Sequence, residues 1–145
     1  MQDGHAVDRL ASSSAIDMIK IDIAKLDRAI AASFKETAKE LNDSFHQSIV
    51  DPKWQWNRVT VRRSGEVAGS PRNIVDLGTL RDSQDFKITA NKALYTWNVP
   101  YSLYVQHGYT TRSGTVVAGR DWVEDGIKSI DLAKIFAKKL RSKLK

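Results

Sequence analysis

A helical pattern, unbroken from Ser14 to Ile49, constrains the fold of this chain more than any other feature. Apolar side chains recur at Ile16, Ile19, Ile23, Leu26, Ile30, Phe34, Leu41, Phe45 and Ile49, with Ala38 filling the gap. Alternating steps of three and four residues put them along one stripe of an α-helix. No Gly or Pro lies between Gly4 and Pro52. The pattern predicts a helix over 14–50, opened by an approximate capping box at Ser14 and Asp17. Asp51-Pro52 closes it, because proline lacks the backbone donor and restricts the residue before it. At ~1.5 Å per residue such a helix runs ~54 Å, more than a domain of this size needs to cross its own core. A helix of that length predicts a partner or a neighbouring copy.

The 145 residues suffice for one domain with a real core. Residues 1–13 are polar and are expected to be mobile, leaving 14–145 as a single domain. There is no cysteine, so disulfides and thiolate metal sites are excluded. No apolar run approaches the ~18 residues of a membrane span. The opening MQDGHAVDRL has no apolar leader core, so a soluble intracellular product is expected. The net charge of +6 is uneven: −2 over residues 1–50 and +8 over residues 51–145. A basic body suits a nucleic-acid or acidic protein neighbour, although on charge alone a solvated surface is favoured.

Beyond residue 51 the composition changes. All four Trp, all four Tyr, all three Pro and seven of the eight Gly lie there. Residues 55–63 alternate and predict a strand, 64–72 a loop. Thr79 to Gln84 predicts a short helical turn after Gly78. Asp85–Asn91 and Lys92–Val99 predict a β-hairpin turning at Asn91-Lys92, with Phe86, Ile88 and Ala90 on one face of the first strand and Tyr95, Trp97 and Val99 on one face of the second. Tyr101–His107 reads as a short helix or an irregular crossing. Tyr109–Val117 holds Ser113-Gly114 between β-prone residues and predicts a second, exposed hairpin. Two helices follow within 121–145, a short one over Asp121–Ile130 and a clearer one over Asp131–Lys145. The order is α+β: a long N-terminal helix packed on a small antiparallel sheet (sheet and arm over 55–117), with a β-hairpin arm and C-terminal helices.

Chemistry is sparse. His46 has no second His one turn away, so no helical zinc pair exists, and His5 stands alone. His107 beside Gly108 could serve as a general base, but no nucleophile-and-acid set accompanies it, and a turn role is favoured. Asp121, Glu124 and Asp125 could imitate a carboxylate metal site; at a predicted helix start, capping is favoured. Neither phosphate-loop pattern occurs. No cofactor is expected and no enzymatic activity. Trp54 and Trp56 share a strand face, where packing is favoured over base stacking. The run Lys134, Lys138, Lys139, Arg141, Lys143 and Lys145 either touches DNA phosphates or simply complements the helix C-terminus in water.

Two stretches carry a resemblance. One is Val75-Asp76-Leu77-Gly78-Thr79-Leu80-Arg81-Asp82-Ser83. The other is Val99-Pro100-Tyr101-Ser102-Leu103-Tyr104-Val105-Gln106-His107-Gly108-Tyr109-Thr110, followed by Ala118-Gly119-Arg120-Asp121-Trp122. Their order resembles the neck and tail-completion proteins of tailed bacteriophages, a group often described as minor tail components. In that group a long helix precedes a D-x-G-x-L-R-x-S segment, a hairpin, a Y-x-x-Y-V-x-x-G segment, a flexible arm and an A-R-P-[FW]-like segment. The chain departs from it at Ala118–Trp122, with an inserted Gly and no Pro, and at His107, where an acid is usual.

The resemblance implies a non-enzymatic virion protein at the neck or top of the tail, made in the host cytoplasm. It implies a ring homo-oligomer, sixfold by analogy, between a head–tail connector or adaptor ring and the tail terminator or tail tube proteins, with genomic DNA passing through and no membrane contact. Within that reading Asp76, Gly78, Leu80, Arg81, Tyr101, Tyr104, Val105 and Gly108 form the structural motif. Tyr109, Thr111, Ser113, Thr115, Val116, Val117 and Trp122 are expected at the subunit interface, the arm pairing with its neighbour by strand addition. Lys138, Lys139, Arg141 and Lys143 are the candidates for a DNA-facing surface. The alternative is a sequence-nonspecific DNA-binding protein using the basic C-terminal helix. A coiled-coil scaffold and a small hydrolase are weaker rivals.

Overall fold

The computed structural model describes residues 22–55, 61, 64–67 and 78–145. The long helix, α1, spans Ile23–Ile49. Asp22 caps it from an extended backbone (φ −75°, ψ 90°), its carboxylate accepting from the Lys25 N–H at 2.9 Å. The described helix is therefore shorter than the expected 14–50. A short acceptor side chain holding a free N–H fixes the start at Asp22. Residues 1–21, with the expected mobile segment and the Ser14 cap, lie outside the described residues. At the other end Asp51 accepts from Lys53 N (2.8 Å) and Pro52 opens a one-turn 3₁₀ helix, Pro52–Trp54.

Most of the expected strand over 55–63 lies outside the described residues. Val61 makes an antiparallel bridge to Val67. Then come α2 (Thr79–Asp82), β1 (Gln84–Ile88), β2 (Ala93–Trp97), α3 (Ser102–His107), β3 (Gly108–Thr110), β4 (Val116–Ala118), α4 (Trp122–Lys128) and α5 (Leu132–Leu144). β1 pairs with β2 in the register Phe86↔Tyr95, and β3 with β4 in the register Tyr109↔Val117. The chain is α+β, with a long N-terminal helix, two antiparallel hairpins and C-terminal helices. The first hairpin turns one residue earlier than expected: Thr89 N donates to Lys92 O (2.8 Å), so Ala90 and Asn91 are the central pair.

α1 has two working faces. Along one, Ala29, Ser33, Thr37, Ser44 and Ser48 are buried. These small side chains let α4 and α5 come close. At the closest point a Cβ on Gly126 would lie 2.6 Å from Phe45 Cδ1. Ser44 Oγ donates to Gly126 O (2.7 Å), and Ser48 Oγ donates to Asp125 Oδ2 (2.6 Å). The second face carries Ala38 and Phe45 under the hairpin, whose half-buried side chains are Gln84, Phe86, Ile88, Ala93, Tyr95 and Trp97. Rings run through the layer in sequence: Phe86 on Tyr95 (5.1 Å, stacked), Tyr95 and Trp97 edge-on to Phe45, and Trp97 edge-on to Trp122 (5.6 Å). Tyr95 Oη donates to Ala38 O (2.8 Å), and burial raises its phenol pKa. Ile49, Leu80 and Trp122 form the buried centre, with Val50, Trp54, Trp97, Val99, Val105 and Val123 packed around it.

Candidate self-association surface

Of the chain's D-x-G-x-L-R-x-S stretch, residues 78–83 lie among the described residues. Gly78 is buried at φ +83°, a left-handed turn into α2 that favours glycine. A Cβ there would meet Arg81 Nη2 at 2.9 Å and Asp82 Oδ2 at 3.0 Å. Leu80 enters the core, and Arg81 Nε donates to Asp82 Oδ1 (2.7 Å). That bond raises the Arg81 pKa and lowers that of Asp82. Asp76 lies outside the described residues.

The second stretch builds the arm and its root. Gly108 has φ +80°, and a Cβ on it would lie 2.5 Å from Val117 O. A Cβ on Gly119 would lie 2.6 Å from Gln106 O. Two glycines thus let β3 and β4 cross tightly over the end of α3, and Arg120 N donates to Val105 O (2.9 Å) to hold the crossing. From this root the arm projects. Thr111 N donates to Thr115 O (2.8 Å), and Gly114 turns the tip at φ +84°. Val116 is 72 % exposed, and Tyr101, Leu103, Tyr104 and Tyr109 are exposed with it. Tyr104 and Tyr109 meet edge-to-face at 6.2 Å.

This placement changes three expectations. Trp122, expected between subunits, is 1 % exposed and packs on Trp97 inside its own chain. Tyr101 and Tyr104, expected as structural anchors, stand at the surface, and of that stretch Val105 packs against the core. The expected interface residues Tyr109, Ser113 and Val116 are exposed, while Thr111, Thr115 and Val117 are half-buried. The physical reason lies in α3: a single helical turn shows its Tyr101–Tyr104 side to solvent and turns Val105 inward.

The DNA-facing candidates separate into two pairs. Lys139 reaches Glu40 (2.5 Å) and Glu36 (3.6 Å), and Lys143 reaches Glu36 (2.8 Å). The Lys143 contact holds the Glu36 carboxyl below its ordinary pKa, and the Glu40 contact raises that of Lys139. These two lysines clamp α5 to α1. Lys138 and Arg141 remain exposed.

Asp121 caps α4, its Oδ1 accepting from Glu124 N (2.9 Å), as expected of an acid at a helix start. Asp125 accepts from Ser48 and pairs with Lys53. Burial raises its pKa, but these contacts outweigh burial and hold it low. Trp54 Nε1 donates to Ser48 O (2.8 Å). Trp56 lies outside the described residues. Among the described residues no cluster could hold a metal ion, and no helix is long and apolar enough to cross a membrane. His107 is exposed on α3.

Sequence periodicity did not expose one further surface. Between α1, β2 and α5 lies an open apolar groove of about 930 Å³, with Phe34 and Leu41 on its floor and Leu94, Tyr95, Leu132 and Phe136 on its walls. No protein-family model, curated protein or solved structure matches this chain.

Proposed function

We propose that this chain is a structural subunit of a phage neck, forming a homo-oligomeric ring that joins head connector to tail and lets the genome pass. The observation that carries this reading is an exposed apolar patch: the β-hairpin arm on its glycine root presents Tyr109 and Val116, and α3 beside it presents Leu103 and Tyr104 with Tyr101 at its cap. Aromatic and aliphatic side chains with one Arg and few other charges are the composition of a protein interface. Exposed apolar groups in such number need a cover. A closed ring supplies one, because each subunit's arm meets a different surface of the next. The two stretches that resemble tail-completion proteins supply the arm's root and the buried Leu80, so the likeness falls on elements that shape the subunit. The neighbours above and below, connector and tail components, belong to the same proposal. A DNA-binding reading through α5 is weaker, since Glu36 and Glu40 already neutralise Lys139 and Lys143.

Mass photometry and negative-stain microscopy of the purified chain test the reading. Rings are expected for the native chain and none for Tyr109→Asp/Val116→Asp, which changes two exposed side chains. Particles that join head to tail normally without this protein would overturn it.

A further inference from the structure

α1 carries an apolar row that the described residues leave open. Ile23 is 68 % exposed and Ile30 40 % exposed, and Phe34 and Leu41 are the floor of the groove. On a helix of 3.6 residues per turn, positions 23, 30, 34 and 41 fall in one line about 27 Å long. The steps are seven, four and seven. The row therefore reads the same in both directions about Ala32.

We propose that this row seats a second copy of the chain, laid antiparallel across it about a two-fold axis near Ala32. Ile30 then meets the partner's Phe34, and Ile23 meets the partner's Leu41, twice over by symmetry. An isologous contact needs one self-complementary patch, and a palindromic row is one. The exposed first turns of α1 fill the partner's groove in the manner of an amphipathic helix in an apolar channel.

Charge selects this occupant independently. The groove's charged lining residues are Lys87 and Lys92, with no carboxylate among them. Asp27 stands five full turns before Phe45, hence on the side of α1 that faces the hairpin. The two-fold keeps that side together with the partner's hairpin. Asp27 falls at the height of the partner's Thr37, and Thr37, Lys87 and Lys92 all line the groove. Among the described residues neither Asp27 nor Lys92 has an ion-pair partner in its own chain. The contact uses α1 and leaves the Tyr104–Tyr109 arm untouched, so it stands or falls apart from the ring.

Sedimentation equilibrium of the full chain, from about 1 to about 100 μM, is the first measurement. The native chain is expected to associate beyond the dimer, and Tyr109→Asp/Val116→Asp, which forms no ring, keeps the dimer. Ile30→Asp weakens it at least tenfold with unchanged circular dichroism and melting, because Ile30 is already exposed. Asp27→Lys weakens it as well, and adding Lys87→Glu and Lys92→Glu to the same chain restores it. Carbodiimide coupling of mixed light and ¹⁵N-labelled chains joins Asp27 to Lys87 or Lys92 between copies. A monomer throughout that range, association indifferent to Ile30→Asp, or association lost only with the arm overturns the proposal.

Discussion

Trp122 carries the clearest residue-scale consequence. It sits at the centre of the core, edge-on to Trp97 and beside Ile49 and Leu80. Trp122→Ala is expected to cost about 3–5 kcal/mol in urea unfolding, the range for a large buried aromatic. Trp122→Phe should cost clearly less for a second reason besides size. The indole N–H of Trp122 is buried without a hydrogen-bond partner among the described residues, and so is that of Trp97. Phenylalanine removes an unpaired donor along with the five-membered ring that bears it, and such a donor costs about 1–3 kcal/mol when buried. Tyr104→Ala, at the surface, should stay within about 0.5 kcal/mol. Gly108 behaves oppositely to its size. Gly108→Ala adds one methyl, yet it sets a side chain at positive φ against backbone 2.5 Å away. A loss of about 1–3 kcal/mol is expected, with broadened amide signals through Thr110–Val116. Unchanged stability would mean that the arm's root is looser than described.

At the scale of elements, α4 is latched to α1 through polar groups. Asp125 takes Ser48 Oγ and Lys53 Nζ, and Ser44 Oγ bonds Gly126 O. The Asp125 and Glu36 carboxyls are both held below their ordinary pKa values. A carboxyl depressed in the folded state contributes stability above its unfolded pKa and loses it as pH falls through the folded one. The unfolding midpoint should therefore fall on acidification below about pH 5, where unfolded carboxyls begin to protonate. Asp125→Asn should lower stability at pH 7 and flatten that decline. A parallel decline in the variant would exclude Asp125 as its source. The same elements show what the sequence made legible. The β1–β2 hairpin followed from alternation, and the cap at Asp121 from an acid at a helix start. The start of α1 did not, because Ser14 and Asp22 both offer a capping oxygen and local pattern does not rank them. The partition of α1 into a small-residue face and a hairpin face was also hidden. Apolar periodicity marks the stripe at Phe34 and Phe45 but passes over Ser33, Ser44 and Ser48, whose burial depends on what packs there. Trp122 followed the same logic: an aromatic after a turn reads as interface or core alike until its neighbours are placed.

For the whole molecule, the excess of positive charge raises the question of DNA. Counterion release makes the salt slope a count of phosphate contacts, about −0.9 in log K against log salt for each one on duplex DNA. Of the four cations considered on α5, Lys139 and Lys143 are spent on Glu36 and Glu40, and a cation already paired releases few counterions when phosphate approaches. Of these four only Lys138 and Arg141 can contribute fully, so the pair should add about −2 to the slope of any binding by the isolated chain. Lys138→Gln/Arg141→Gln should remove that increment and leave the melting temperature unchanged. Lys139→Gln/Lys143→Gln should do the reverse: little change in slope, and lower stability as α5 loosens from α1. The loss should be modest and smaller at high salt, because solvent and salt screen such pairs. Should all four cations prove equal in the slope, the clamp between α5 and α1 opens on DNA, and the DNA-binding reading gains on the ring. With the predicted asymmetry, the charge of α5 belongs mainly to the subunit's own architecture. A conduit for DNA needs that economy, since walls that gripped each phosphate would hold the genome in place instead of letting it pass.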